Sequence, residues 1–179
     1  MRRVPVSSLM VVALVGLFGI GGVRLGVGAQ DATPPQGYRW HAVAEKTVGS
    51  VDLVNAPGYR LRMSYMEWAP GSDVAAHLRP MALVTCVASG ALGVTVLEGA
   101  AIVTRAGLGN LPEITEWVDH DIEVIIEPLD CFAVDNDAGR TVYTARNRSD
   151  ETTIAWETHF YPIEVPDTVY VDVPGAPIP

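Results

Sequence analysis

An all-β fold, a sandwich or a barrel, is what this sequence predicts, and three observations carry the prediction. Residues 30–179 hold eight to ten short apolar runs at near-regular spacing. Gly, Pro, Asn and Asp stand between the runs, where turns need them. No stretch of this part shows the sustained 3.6-residue apolar period of a long helix. An immunoglobulin-like sandwich is the weaker alternative. It needs a Cys…Trp…Cys order, and here no tryptophan follows Cys86 at the right interval, while Trp117 stands just before Cys131.

The chain opens on Met1-Arg2-Arg3, then an apolar, Gly-rich run from Ser8 to Val23, then the small residues Val27-Gly28-Ala29. This is the pattern of a secretory signal peptide, residues 1–29, cut near Ala29. The other reading is an uncleaved anchor, but the run is short beside the roughly 20 apolar residues of a spanning helix. The expected location is outside the cytoplasm, secreted or in the cell envelope or periplasm, with no stable membrane insertion after cleavage. Residues 30–58 read as a linker and N-terminal strands. Asp31 to Gly37 is Pro-rich, Val43 and Val51 to Leu53 suit short edge strands, and Asn55 to Gly58 is a turn.

Residues 59–161 form the predicted barrel. Tyr59 to Trp68 alternates, with Tyr59, Leu61, Met63 and Tyr65 on one face and Arg60, Arg62 and Ser64 on the other, the pattern of a half-buried strand. Pro70-Gly71 is a turn. Leu83 to Val87 and Leu92 to Val96 flank Ser89-Gly90 as a hairpin. Ala101 to Thr104, Ile114 to Val118, Ile122 to Ile126, Cys131 to Val134, Thr141 to Arg146 and Thr153 to Tyr161 are further strands. Residues 162–179 are a tail with five prolines, either extended along the barrel or trailing free.

The formal net charge is −9. Without Arg2, Arg3 and Arg24, nine of the 12 basic residues face 21 acidic ones, a net charge of −12 for residues 30–179. Such a chain is repelled by nucleic acid and by anionic lipid, so neither is an expected partner. The expected partners are a small molecule of unknown identity or a second copy of the chain. Export permits a disulfide between the two cysteines, Cys86 and Cys131. Their Cα separation decides between a bridge and two buried thiols, and the sequence leaves both open.

The stretch from Pro70 to Leu97 carries the one long-range motif. Gly71 is followed by five residues and then His77; Arg79 comes two later, Leu83 after three more, and Gly90 after a further six. This resembles the first motif of the cupin family: glycine, five residues, His-x-His, three or four residues, glutamate, six residues, glycine. The resemblance implies a double-stranded β-helix, or jelly-roll barrel. Arg79 and Leu83 stand where the family has a histidine and a glutamate, so only His77 keeps a metal-ligand type. The second motif, G-x5-P-x-G-x2-H-x3-N, is similar to Leu129 to Asn147. Tyr143 falls on its histidine position if three residues are inserted, and Arg140 does without them.

A catalytic divalent metal typically takes three or more protein ligands. His77 supplies one, and a rebuilt set of His77, Glu157 and His159 is the way to reach three, since Glu157 and His159 share a strand face. The expectation is therefore no cofactor, with a divalent metal as the alternative. The pocket candidates are His77, Arg79, Leu83, Tyr143 and Trp68, with Met63, Tyr65 and Met66 on the same strand as Trp68. Arg79 suits a ligand carboxylate or phosphate, or an internal acid such as Glu67 or Asp73. No G-x-S-x-G, H-E-x-x-H or Gly-rich phosphate loop occurs. The reading is an exported cupin-like barrel with an incomplete metal site, a non-catalytic ligand-binding or structural module. The alternative is a metal-dependent oxygenase or isomerase using His77.

Overall fold

A computed structural model describes residues 40–107, 113–136 and 140–173. The signal segment 1–29 and the linker 31–37 lie outside the described residues. No described residue is helical, and no helix among them is long and apolar enough to cross a membrane.

Eleven antiparallel strands follow in order: β1 (Trp40–Asp52), β2 (Tyr59–Leu78), β3 (Ala82–Ser89), β4 (Leu92–Glu98), β5 (Ala101–Arg105), β6 (Ile114–Trp117), β7 (Glu123–Ile126), β8 (Cys131–Asp135), β9 (Val142–Asn147), β10 (Thr153–Pro162) and β11 (Val169–Tyr170). The strand order is β6-β5-β8-β3-β10-β2-β9-β4-β7, with β1 and β11 also paired to β2. The first half of β2, Tyr59 to Trp68, lies between β1 and β10. Its second half, Asp73 to Leu78, pairs with β9 and β11. One long strand is thus shared by two sheets, the larger running β1-β2-β10-β3-β8-β5-β6 and the smaller β2-β9-β4-β7. The all-β fold expected from the sequence is the fold observed: a jelly-roll barrel.

The bend in β2 falls at Pro70-Gly71, where the sequence suggests a chain-reversing turn. Gly71 has φ +72°, and the strand passes through instead of reversing. Gly90 turns the chain between β3 and β4, but the two do not form the hairpin that the sequence suggests: β3 pairs with β8 and β10 in the larger sheet, β4 with β7 and β9 in the smaller. Gly90 has φ +78°, and a side chain there would meet Thr153 at 2.2 Å, so only glycine fits. Leu129, at the glycine position of the second motif, also has φ +77°.

The apolar interior joins both sheets through Met66, Trp68, Leu83, Val87, Val94, Val96, Val103, Ile126, Phe132 and Tyr143. On β2 the interior face is the one carrying Ser64, Met66 and Trp68; Leu61 and Met63 are exposed on the outside. The alternation expected over Tyr59 to Trp68 is present, but the apolar side of its first half faces outward. Met63 and Tyr65 therefore do not line the interior cavity. β1 is one 13-residue strand rather than two short edge pieces, and it pairs along β2 as part of the sheet. The tail as far as Val173 is not free: Ile163 N donates to Gly58 O at 2.9 Å and Val171 N to Ala76 O at 3.0 Å. Residues beyond 173 lie outside the described ones. Cys86 and Cys131 face each other across β3 and β8 and form a disulfide, Cα–Cα 4.0 Å.

Candidate functional site

The interior between the two sheets encloses a cavity of about 30 Å³, room for about two water molecules. Most of its wall is apolar: Met66, Val74, Val94, Ile126 and Phe132 are among its residues. The rest is a polar cluster of Trp68, His77, Arg79, Tyr143 and Glu157, with Thr85.

Strand register brings these residues together. His77 on β2 pairs directly with Tyr143 on β9, and their rings lie 4.4 Å apart. Tyr143 thus occupies the second-motif position, with the three-residue insertion; Arg140 is exposed and pairs with Glu98 at 3.5 Å. Glu157 on β10 lies between Ser64 on β2 and Thr85 on β3, and points inward. Leu83 is 1% exposed. It belongs to the core and, unlike Thr85 and Glu157, does not line the cavity.

Arg79 and Glu157 are both almost fully buried and form an ion pair, Nη2 to Oε1 3.3 Å and Nη2 to Oε2 3.5 Å. The internal acid that pairs with Arg79 is Glu157, while Glu67 is exposed on the outer side of β2. Burial opposes the charge on Arg79, but Glu157, Tyr143, Glu45 and Asp167 outweigh it and hold the guanidinium protonated. Burial pushes the Glu157 carboxyl above its usual range, against the pull of Arg79. The other side of Arg79 binds the C-terminal segment, with Nη1 donating to Thr168 Oγ1 and to Asp167 O at 3.4 Å. Asp167 also pairs with Arg62 at 2.5 Å, and Arg62 with Glu45 at 3.2 Å. Sequence reasoning missed Asp167 and Thr168, because nothing in a Pro-rich tail marks it as a strap over a site.

The two buried histidines, His77 and His159, are held neutral. His77 Nδ1 donates to Ala75 O at 2.8 Å, which leaves the lone pair on Nε2. Burial, then the charge of Arg79, lower its pKa to about 3. His159 is fully buried and donates from Nε2 to Pro80 O at 2.9 Å. Burial lowers its pKa to about 4, and its ring stacks on Tyr161 at 4.7 Å. Burial raises the Tyr143 phenol above its usual range, so the hydroxyl stays protonated. Trp68 Nε1 and His159 Nδ1 are buried and have no hydrogen-bond partner among the described residues.

A divalent cation does not fit this cluster. One imidazole, a protonated phenol and a carboxylate already paired to a guanidinium make a poor ligand set, and the guanidinium repels a second cation. Among the described residues no three His, Cys, Asp or Glu side chains are placed to hold a metal. His77, Glu157 and His159 all point inward, but they are not such a group. What the cluster offers is an indole donor and a neutral ion pair inside an apolar wall.

No protein-family model matches the chain, and no curated protein does. Among solved structures it is similar to a cupin 2 domain-containing protein from Halorhodospira halophila, at 12% identity and TM-score 0.45, over 74% of this chain and 72% of that one. It is similar to Lactobacillus farciminis oxalate decarboxylase in its formate complex, at 15% identity and TM-score 0.42, over 62% and 26%. A third is an uncharacterized protein with a double-stranded β-helix domain from Klebsiella pneumoniae, at 16% identity and TM-score 0.39, over 73% and 85%. The chain spans only 26% of the decarboxylase's length. The chain's own strand order, with one long strand shared by two sheets and left-handed backbone at Gly71, Gly90 and Leu129, gives it the cupin fold, a double-stranded β-helix.

Proposed function

We propose that this chain is an exported cupin-fold protein that binds a small polar organic molecule inside its barrel and does not transform it. The observation that carries the reading is the unpaired Trp68 Nε1, buried on a side chain that lines the cavity. An indole N–H left without a partner in an apolar wall costs free energy that a ligand acceptor recovers. The Arg79–Glu157 pair supports the same reading. It leaves the cavity electrically neutral, which suits an uncharged ligand with an acceptor for Trp68 and a donor for Glu157. The apolar residues around it suit a short carbon skeleton. Non-catalytic binding is supported by the cation at position 79, where the cupin motif has a metal-ligating histidine. Export is supported by the signal pattern of residues 1–29.

The test is a thermal-shift and ligand-detected NMR screen of small alcohols, amides and ketones against the protein and its Trp68→Phe variant. Expected is a ligand that raises Tm in the wild type and loses about tenfold or more in affinity in the variant, which keeps the ring and removes the donor. Equal binding by both would overturn the role of Trp68. Metal analysis belongs beside it: about one bound transition metal, lost in His77→Ala, would overturn the reading in favour of a metal enzyme. Export predicts that the mature protein begins near Gln30 by mass spectrometry.

A further inference from the structure

The outer face of β2 carries an aromatic pair that the barrel interior does not use. Register sets Lys46 on β1, Tyr65 on β2 and Trp156 on β10 in one row across the sheet. Glu67 follows Tyr65 by two residues and so shares its face. Tyr65 and Trp156 pack edge to face with ring centroids 5.2 Å apart, and Trp156 stays 37% exposed. With Ala44 to Val48 along one side, these residues line a groove of about 580 Å³, inside the range of about 300–1,000 Å³ usual for small-molecule clefts. An irregularity shapes that side. β1 is an edge strand, and its register slips against β2 between Thr47 and Gly49. Val48 is the extra residue, and the strand bends there.

The charges beside the rings are exceptional in this chain. Every described arginine is held in an ion pair. Lys46, the chain's single lysine, forms none among the described residues, and neither does Glu67. A free ammonium and a free carboxylate therefore flank a half-exposed aromatic surface.

We infer that this groove binds a saccharide, with one pyranose ring stacked on the aromatic pair. Three arguments select that ligand. The first is the ring face. A gluco-configured pyranose holds its hydroxyls equatorial and leaves polarised C–H groups above and below, which the negative face of an aromatic ring attracts. The second is the ring edge. Each hydroxyl both donates and accepts, so one sugar can satisfy Glu67 and Lys46 together. The third is charge. The two groups are opposite in sign, so an anion would meet Glu67 and a cation would meet Lys46 with repulsion, while a neutral ligand meets neither. A wholly apolar partner would bury both without hydrogen bonds, at a high cost. The groove lies outside the barrel, and the inference does not rest on the ligand proposed for the cavity.

The experiment is calorimetric titration and saturation-transfer NMR of the full protein, as the cell processes it, with cellobiose, maltose and chitobiose. These disaccharides are too large for an interior cavity of about 30 Å³, so their failure to bind would leave the cavity reading untouched. Expected is saturable binding of at least one of them, with transfer strongest at the C–H protons of one sugar ring. Trp156→Ala should weaken it by about tenfold or more with an unchanged far-ultraviolet circular dichroism spectrum. Lys46→Met and Glu67→Gln should each weaken it by about threefold or more. Both lie at exposed positions, so the test stays decisive if Trp156→Ala fails to fold. A wild-type protein that binds none of the three overturns the inference. Binding that Trp156→Ala leaves unchanged places the sugar elsewhere and overturns it too. So does binding indifferent to both Lys46→Met and Glu67→Gln, which would mark the rings as a nonspecific apolar surface.

Discussion

Arg79 and Glu157 can each be tested alone, and the two substitutions are not equivalent. Removing one partner of a buried ion pair leaves the other charge without compensation, at about 3–5 kcal/mol. Glu157 can escape that cost by taking a proton, and its carboxyl is already pushed up by burial. Arg79 has no such escape, because a guanidinium does not shed its proton. Glu157→Leu should therefore destabilise more than Arg79→Met, and the double variant should recover most of the loss. Urea unfolding followed by circular dichroism measures all three. A double variant as unstable as the worse single one would show that the pair is not what couples the sites. The sequence named His77 and Tyr143 as pocket candidates through motif spacing, and in the structure they pair across β2 and β9. It did not reveal the Arg79–Glu157 pair. The two residues are 78 positions apart, and only the shared neighbours β2 and β3 bring β10 to Arg79. Nearby acids such as Glu67 looked closer in sequence and are not in the pair.

At the scale of elements, the turn before β8 holds a residue unsuited to its backbone. Leu129 has φ +77°, in the left-handed region that costs a side chain about 1–2 kcal/mol. Its side chain is 65% exposed, so little packing offsets that cost. Leu129 N donates to Val87 O at 2.8 Å, which fixes the turn regardless of side chain. Leu129→Gly should raise stability by about 0.5–1 kcal/mol, after allowing for the greater freedom of glycine in the unfolded chain. An unchanged or lower thermal midpoint would show that the turn relaxes to suit leucine. The strands themselves were largely legible, because short apolar runs between turn residues specify them without tertiary help. The interior side of β2 was not. Its two faces differ less than in an ordinary half-buried strand, since Leu61 and Met63 decorate the outside while Arg62 and Ser64 on the inside find Glu45 as a partner. Asn147 shows the same limit. Its place in the second motif was visible, but not its five hydrogen bonds. Its amide nitrogen reaches Trp68 O, Ala69 O and Glu151 O, and its oxygen takes Ser149 N and Thr153 Oγ1, which tie the β2 bend to the β9–β10 connection.

Over the whole molecule, the buried titrating groups set how stability responds to acid. His77 and His159 are neutral in the fold, with pKa values lowered to about 3 and about 4 by burial. Unfolded histidines bind protons near 6.5. Between those values the unfolded state holds more protons than the native one, so the stabilisation present above about pH 6.5 is lost as pH falls toward 4 and then 3. Each histidine contributes a slope of up to about 1.4 kcal/mol per pH unit. Glu157 works the other way, because its raised pKa favours the fold at low pH. Asp130 and Asp167, lowered overall despite burial, and Glu123, lowered to about 2, add further loss at more acid pH. The urea midpoint should therefore drop between pH 7.5 and 4.5, and His159→Gln should flatten the drop. A midpoint constant over that range would mean that the two rings are charged in the fold or reached by water. The sheet order was legible only as a class, since which strands pair depends on contacts far apart in sequence. The C-terminal segment has a consequence of its own. Asp167 and Thr168 hold Arg79 from outside while Tyr170 pairs with His77 across β2 and β11, so this segment covers the polar end of the cavity. On the proposed reading, a ligand would have to displace these contacts to enter or leave. Such a gate would slow entry and exit by the same factor, so differences in affinity between ligands would come from the cavity wall and not from the segment that covers it.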